Sequence, residues 1–197
     1  MIAIIDYGTG NLRSVAKAFE FLGQDAMVSS DRNELEKCDK LVLPGVGAFG
    51  DCMSYLKSNG LDDFIKDWIE SGRYYMGICL GMQVLFDSSS EHGNNIGLGI
   101  IKGKVERFSN NVKVPQIGWN EVLFSKKGPL KLENSYYYFV HSYFCKPEDE
   151  TVIWATTNYG SQYCSAVAMD NVMAVQFHPE KSSAAGLSLL KDFARLS

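Results

Sequence analysis

Apolar residues recur along this chain with two different periods, and the period changes near its middle. Ile2 to Ile5 is a short unbroken apolar run, the pattern of a strand buried on both faces. It gives way to the turn-forming Gly8-Thr9-Gly10-Asn11, after which Leu12, Val15, Ala16, Phe19 and Leu22 fall at helical spacing. Leu41-Val42-Leu43 is a second apolar run, closed by Pro44-Gly45-Val46-Gly47, and Leu61, Phe64, Ile65 and Trp68 form the stripe of a further helix. Tyr74 to Ile78 reads as the next strand, feeding Cys79 and a helix through Phe86. Strand-then-helix alternation predicts an α/β fold, a mostly parallel sheet with helices on both faces and ligands at the carboxyl ends of the strands. Cys79 and the Pro44 to Gly47 turn both fall on that edge.

From about Gly97 the helical period fades. Lys104 to Phe108, Gln116 to Val122, Tyr136 to Val140, Val152 to Thr156 and Val172 to Phe177 read as strands, predicting an additional antiparallel or mixed portion of sheet. A final helix carries Leu187, Leu190, Phe193 and Ala194 on one face, and Ser182-Ser183 is expected to cap its start. No repeat, low-complexity segment or linker divides the chain, so residues 1–197 are expected to form a single domain.

Composition narrows the function classes. With 197 residues, 46% hydrophobic and 21% charged, the chain has enough apolar material for one sizeable core. The apolar start soon reaches Asp6, which leaves room for neither a signal peptide nor a membrane span, and a cytosolic protein is expected. A formal charge of −4 without a long basic run argues against a nucleic-acid partner. The five cysteines, Cys38, Cys52, Cys79, Cys145 and Cys164, are odd in number and irregularly spaced. That disfavours a disulfide framework and a structural zinc site, and free thiols are expected.

One cysteine stands apart. Cys79 lies between Gly77 and Gly81 directly after a strand, the pattern of a sharp strand-to-helix bend that exposes a nucleophile and frees the next backbone N–H. A thiolate is favoured at a helix N-terminus and beside a histidine. His178 follows the apolar strand ending at Phe177 and is expected to emerge at a strand end, where an imidazole can exchange a proton with the sulfur and then with a leaving group. Glu180, two residues on and separated by the rigid Pro179, can fix the imidazole's tautomer. The N–H of Leu80 and one from the turn around Val46 are candidates to hold a developing oxyanion. Each element has a plainer reading in isolation: a lone cysteine is usually core, His-Pro-Glu is a common surface turn, and Trp119 or Tyr136 to Phe139 would be packing aromatics in most proteins. Gly8-x-Gly10 is no dinucleotide loop, because Arg13 stands where the third glycine belongs.

Gly77-Ile78-Cys79-Leu80-Gly81-Met82-Gln83 together with His178-Pro179-Glu180 closely resembles the class I (triad) glutamine amidotransferases, whose domain spans nearly this whole length. The resemblance implies a flavodoxin-like fold with a central mostly parallel sheet, no cofactor and no metal. It implies that Cys79 attacks the glutamine amide, releasing ammonia and leaving a glutamyl thioester that water hydrolyses, with His178 and Glu180 as the rest of the triad. By motif position it implies oxyanion donors at Val46 and Leu80 and glutamine contacts at Gly47, Gln83, Ser142 and Tyr143.

Within that class, Asp6-Tyr7-Gly8-x-Gly10-Asn11, Leu43 to Gly47, Pro115-Gln116-Ile117-Gly118-Trp119-Asn120 and His141-Ser142-Tyr143 resemble the glutaminase subunits that serve imidazole glycerol-phosphate synthases in histidine biosynthesis. That implies a heterodimer with a (β/α)₈-barrel synthase subunit, with Asn11, Trp119, Tyr138 and Lys181 at or near the interface. Free ammonia in water near neutral pH is mostly protonated and cannot attack, so a sealed passage into a docked acceptor is the physically sensible arrangement. Three alternatives stand beside it. Similar subunits feed ammonia to sugar amidine formation in surface polysaccharides, the same triad serves γ-glutamyl peptide hydrolases, and a degenerate subunit would only stabilise its partner.

Overall fold

The computed structural model describes residues 1–125 and 128–197. The chain opens with β1 (Ile2–Ile5), α1 (Leu12–Phe21), β2 (Ala26–Ser29), the short α2 (Arg32–Leu35), β3 (Lys40–Gly45), α3 (Phe49–Ser58), α4 (Leu61–Glu70) and β4 (Tyr74–Cys79). Next come α5 (Leu80–Gln83), β5 (Phe86–Ser89), β6 (Asn95–Ile96), β7 (Ile101–Arg107), β8 (Gln116–Phe124), β9 (Ser135–His141) and β10 (Tyr143–Pro147). It closes with β11 (Ile153–Asn158), β12 (Gln162–Met169), β13 (Val172–Val175) and α6 (Ser183–Ala194).

Among the described residues the strands run in the order β2-β1-β3-β4-β13-β12-β10-β7-β5-β6, with β11, β8 and β9 branching from β12. The first five in that order are parallel, and β12 turns the sheet antiparallel by pairing with β13. Both predicted halves are therefore present, joined at β13. Period-2 alternation sorts the central strands between two cores. Ala3, Ile5, Leu41 and Leu43 join the core under α3 and α4, with Phe49, Leu56, Phe64 and Trp68. Ile2, Ile4 and Val42 face the other core, with Val15 and Phe19 of α1 and Leu189 and Phe193 of α6.

Three local expectations are corrected. The helix expected from Cys79 through Phe86 ends at Gln83, and Phe86 begins β5. Residues 82–86 are buried all round, so periodicity cannot distinguish helix from strand there, and tertiary pairing decides. Leu98 N–H donates to Val84 O at 2.8 Å and Ile100 N–H to Leu85 O at 2.9 Å, which takes those carbonyls out of any helix. The Pro44 to Gly47 turn begins later than expected, because pairing with β4 continues to Gly45, opposite Cys79. Ser182 does not cap α6 through its side chain. Its hydroxyl donates to His178 O at 2.6 Å and accepts from Tyr138 N–H at 2.9 Å, tying the His-Pro-Glu turn to β9.

Candidate active site

Cys79 terminates β4 with φ 54° and ψ −106°, a backbone conformation that L residues rarely adopt. Its flanking glycines serve a different purpose, close approach of backbone to backbone. A Cβ on Gly81 would lie 1.8 Å from Leu43 O, and one on Gly77 would lie 2.4 Å from Gly81 O. The α5 turn is thus pressed directly onto β3 and β4, and the strain sits on the cysteine between the glycines.

β13 runs parallel to β4 with Val175 opposite Ile78. The chain then continues past Cys79 into His178, whose Nδ1 lies 2.8 Å from Glu180 Oε1, both side chains only 1% exposed. The carboxylate accepts from Nδ1, which directs Nε2 elsewhere. Nε2 is itself buried and has no hydrogen-bond partner among the described residues. Burial opposes the charged imidazole, but the negative charge and hydrogen bonding of Cys79, and then of Glu180, outweigh it and push His178 up to about 10. The sulfur is therefore close enough to dominate the ring's protonation.

A cavity of about 260 Å³ opens above the sulfur. Val46, Gly47, Cys79, Leu80, Gln83, Ser142 and Tyr143 line it. Every non-triad catalytic or substrate residue singled out from the sequence therefore meets at one place. Two geometrical details differ from the simple expectation. Gln83 is buried, and its Nε2 donates to Tyr143 O at 3.0 Å and Gln176 Oε1 at 3.1 Å, so its carbonyl oxygen is what remains to offer a ligand. The Val46 N–H is not free: it donates to the Tyr7 hydroxyl at 2.9 Å, and that hydroxyl donates back to Val46 O at 3.0 Å. Burial pushes Tyr7 up to about 12, which keeps the hydroxyl protonated. Leu80, by contrast, opens the α5 turn, where an N–H has no acceptor within the helix.

Sequence reasoning missed Tyr7 and Glu91. Glu91 brings a carboxylate to the cavity wall, and its Oε2 accepts from Phe49 N–H at 2.7 Å, capping α3. Tyr7 stands within the Asp6 to Asn11 segment, but its contact with Val46, like the place of Glu91, arises only through the packing of distant segments. Among the described residues no cluster of His, Cys, Asp and Glu is arranged to hold a metal ion. All five cysteines are free and buried.

Of the residues implied at a partner interface, three converge. Trp119, 52% exposed, meets Tyr138 edge-on at 6.3 Å between ring centroids, and Lys181 Nζ stands 5.8 Å over the same Tyr138 ring. Ile117, Leu123 and Tyr136 extend this exposed apolar face along β8 and β9. Asn11 precedes α1, accepting from the Ser14 hydroxyl at 2.6 Å.

A strained cysteine on a tight strand-to-helix bend, backed by a buried His–carboxylate pair and facing a small cavity, is suited to acyl transfer through sulfur. The family profile described as Glutamine amidotransferase class-I matches residues 3–196. The chain belongs to the class-I glutamine amidotransferases. This amidotransferase is 50% identical to "Imidazole glycerol phosphate synthase subunit HisH" of Chlorobaculum tepidum, over 98% of this chain and 99% of that one. It is 45% identical to the protein of that name from Bacillus subtilis, over 100% of this chain and 97% of the relative. Among solved structures, one described as a glutamine amidotransferase superposes on the amidotransferase with a TM-score of 0.80 at 20% identity, covering 100% of both chains. The PurLQS structure from Thermotoga maritima follows at 0.78 and 19%, covering 100% of this chain and 98% of the other. At such identities the structural likeness speaks for the fold alone.

Proposed function

We propose that this chain is the glutaminase subunit of an imidazole glycerol phosphate synthase, hydrolysing glutamine to glutamate and passing the ammonia to a (β/α)₈-barrel synthase subunit in a cytoplasmic heterodimer. The observation that carries the chemistry is the buried His178–Glu180 pair, 2.8 Å apart, acting on a sulfur at the floor of an amino-acid-sized cavity. The histidine-pathway assignment draws its support from relatives that align end to end at 45–50% identity and share one name. No comparison favours the sugar-amidine alternative.

In this reading glutamine enters with its side-chain amide over Cys79. Glu91 faces the α-ammonium group, while the Gln83 carbonyl and the segments at Gly47 and Ser142–Tyr143 hold the remaining polar atoms. The sulfur attacks the amide carbon. His178, which its surroundings keep protonated, gives its proton to the departing nitrogen, so that ammonia leaves and a thioester remains. The same imidazole then takes a proton from water as the thioester is hydrolysed. Glu180 holds the ring with Nε2 toward the sulfur throughout.

The oxyanion receives the Leu80 N–H at once and the Val46 N–H only after the Val46 peptide leaves Tyr7. One missing donor costs roughly 10²–10³-fold, so the chain alone is a weak glutaminase and the liganded synthase stimulates it. The exposed Trp119–Tyr138 face is the docking surface. Replacing Cys79 by Ala tests the scheme. Glutamine-dependent product is lost while synthesis fed with ammonium salts continues in the same complex; glutamate release that survives in C79A refutes it. Equal glutamine turnover with and without liganded partner refutes the stimulation.

A further inference from the structure

The parallel register that sets Val175 opposite Ile78 brings the next residue, Gln176, level with Cys79. Gln176 is fully buried, its backbone N–H donates to Ser165 O at 2.9 Å, and its side-chain Nε2 lies 3.6 Å from Cys79 Sγ. The direction of this contact is fixed from outside. The Tyr143 carbonyl can only accept, so it determines which end of Gln83 is the amino end; the second N–H of that group meets Gln176 Oε1, and Gln176 is left with its own amino group toward the sulfur. Two donations therefore run one way, from Gln83 on the cavity wall through Gln176 to the nucleophile. His178 Nε2 meanwhile has no hydrogen-bond partner among the described residues.

We propose that Gln176 is a positioning residue that holds the Cys79 sulfur between turnovers and reports to it, through Gln83, that the glutamine cavity is filled. The proposal rests on the reading of Cys79 as the nucleophile. A ligand donor on the free carbonyl of Gln83 polarises its amino group, and successive hydrogen bonds strengthen one another along such a chain. The sulfur is then better stabilised as an anion when substrate is present than when it is absent. Nothing in the sequence marks this residue, because an isolated glutamine before an aromatic has no chemical signature of its own.

Two variants test the contact: Gln176→Met, which removes the donor at similar length, and Gln176→Glu, which puts an acceptor where the donor was. The first readout is alkylation of Cys79 by iodoacetamide against pH, followed by peptide mass in the full chain. The other four thiols are buried and pushed upward, Cys52 and Cys164 to about 12, so they do not compete. A hydrogen bond to a charged group changes rates by about 10- to 100-fold. Alkylation at pH 7 is expected to slow by about that factor in Q176M, recover as the pH is raised, and slow further in Q176E.

The second readout is glutamine turnover in the complex, where kcat falls in Q176M by a similar factor with KM moving less than about threefold. Gln83→Leu, approaching from the other end of the chain of donors, slows alkylation by a few-fold. A wild-type alkylation profile in folded Q176M overturns the proposal, as does a fall in kcat accompanied only by a lower melting temperature. Glutaminase activity that persists in C79A would instead fail the functional reading, and the alkylation profile would still decide the Gln176–sulfur contact.

Discussion

Substituting Gly81 by Ala is the sharpest single test of how the site is built. An added Cβ would sit 1.8 Å from Leu43 O and 2.9 Å from Leu43 C, where ordinary contact begins at 3.4 Å. Both atoms belong to the backbone of a central strand, so no side chain can rotate away, and the α5 turn must retreat from β3 by about 1.6 Å. Overpacking of this kind costs about 1–3 kcal/mol, which for a chain of this length lowers the melting temperature by about 2–12 °C. The functional effect is larger, because the same displacement moves Cys79 and the Leu80 N–H relative to His178. A misplacement of about 1 Å is worth roughly 10²-fold in rate, so G81A should lose at least that in kcat while remaining folded. Glutamate release is measured under saturating glutamine in the complex, beside a thermal melt and the ammonium-fed reaction, which should persist. A G81A protein with wild-type kcat would refute the claim that backbone contact between α5 and β3 fixes the nucleophile.

Further outcomes follow from the same geometry. Glu180→Gln removes the charge that orients His178 and should lower kcat by about 10²–10⁴-fold; a loss below fivefold in glutamate release contradicts the triad. His178 is raised to about 10 from an ordinary value near 6.5, so its contribution to stability is complete below about pH 6.5 and drains away as pH rises toward 10. Denaturant midpoints across that range should fall more steeply for wild type than for C79A, and equal slopes would count against the coupling. Burial holds His141 down at about 4, so its contribution is present above about pH 6.5 and is lost as pH falls through 4. Acid unfolding should be less steep in H141Q, and an unchanged profile contradicts this. Trp119→Ala, truncating an aromatic at the centre of the exposed face, should weaken binding of the synthase subunit by about 30-fold; an unaltered Kd in titration removes that face as the docking surface.

What the sequence revealed of this site depended on chemistry being packed into short motifs. The Gly-x-Cys-x-Gly bend and the His-Pro-Glu turn each hold their residues within a few positions, and the strands before them are continuous apolar runs. α3 shows the opposite case. Its buried stripe of Phe49, Cys52, Met53 and Leu56 has full helical spacing, yet no capping side chain precedes it. The cap comes from Glu91, 42 positions away, so the usual start signal is missing from the local sequence. β2 lies at the edge of the sheet and is only partly covered, which blurs its pattern. The contacts of Tyr7 with Val46 and of Gln176 with Cys79 arise where separate strands meet, and no local period encodes them.

The pairing of β4 with β13 has a consequence for how such a protein can vary. Cysteine and histidine are aligned by two adjacent strands in register, so the long excursion between them is free to gain or lose residues at its surface loops without disturbing the chemistry. A deletion of one residue between Val172 and Phe177 is another matter, because it would turn the imidazole to the opposite side of the ribbon. Natural length variation should therefore crowd into the connecting loops and leave those six positions as an unbroken frame.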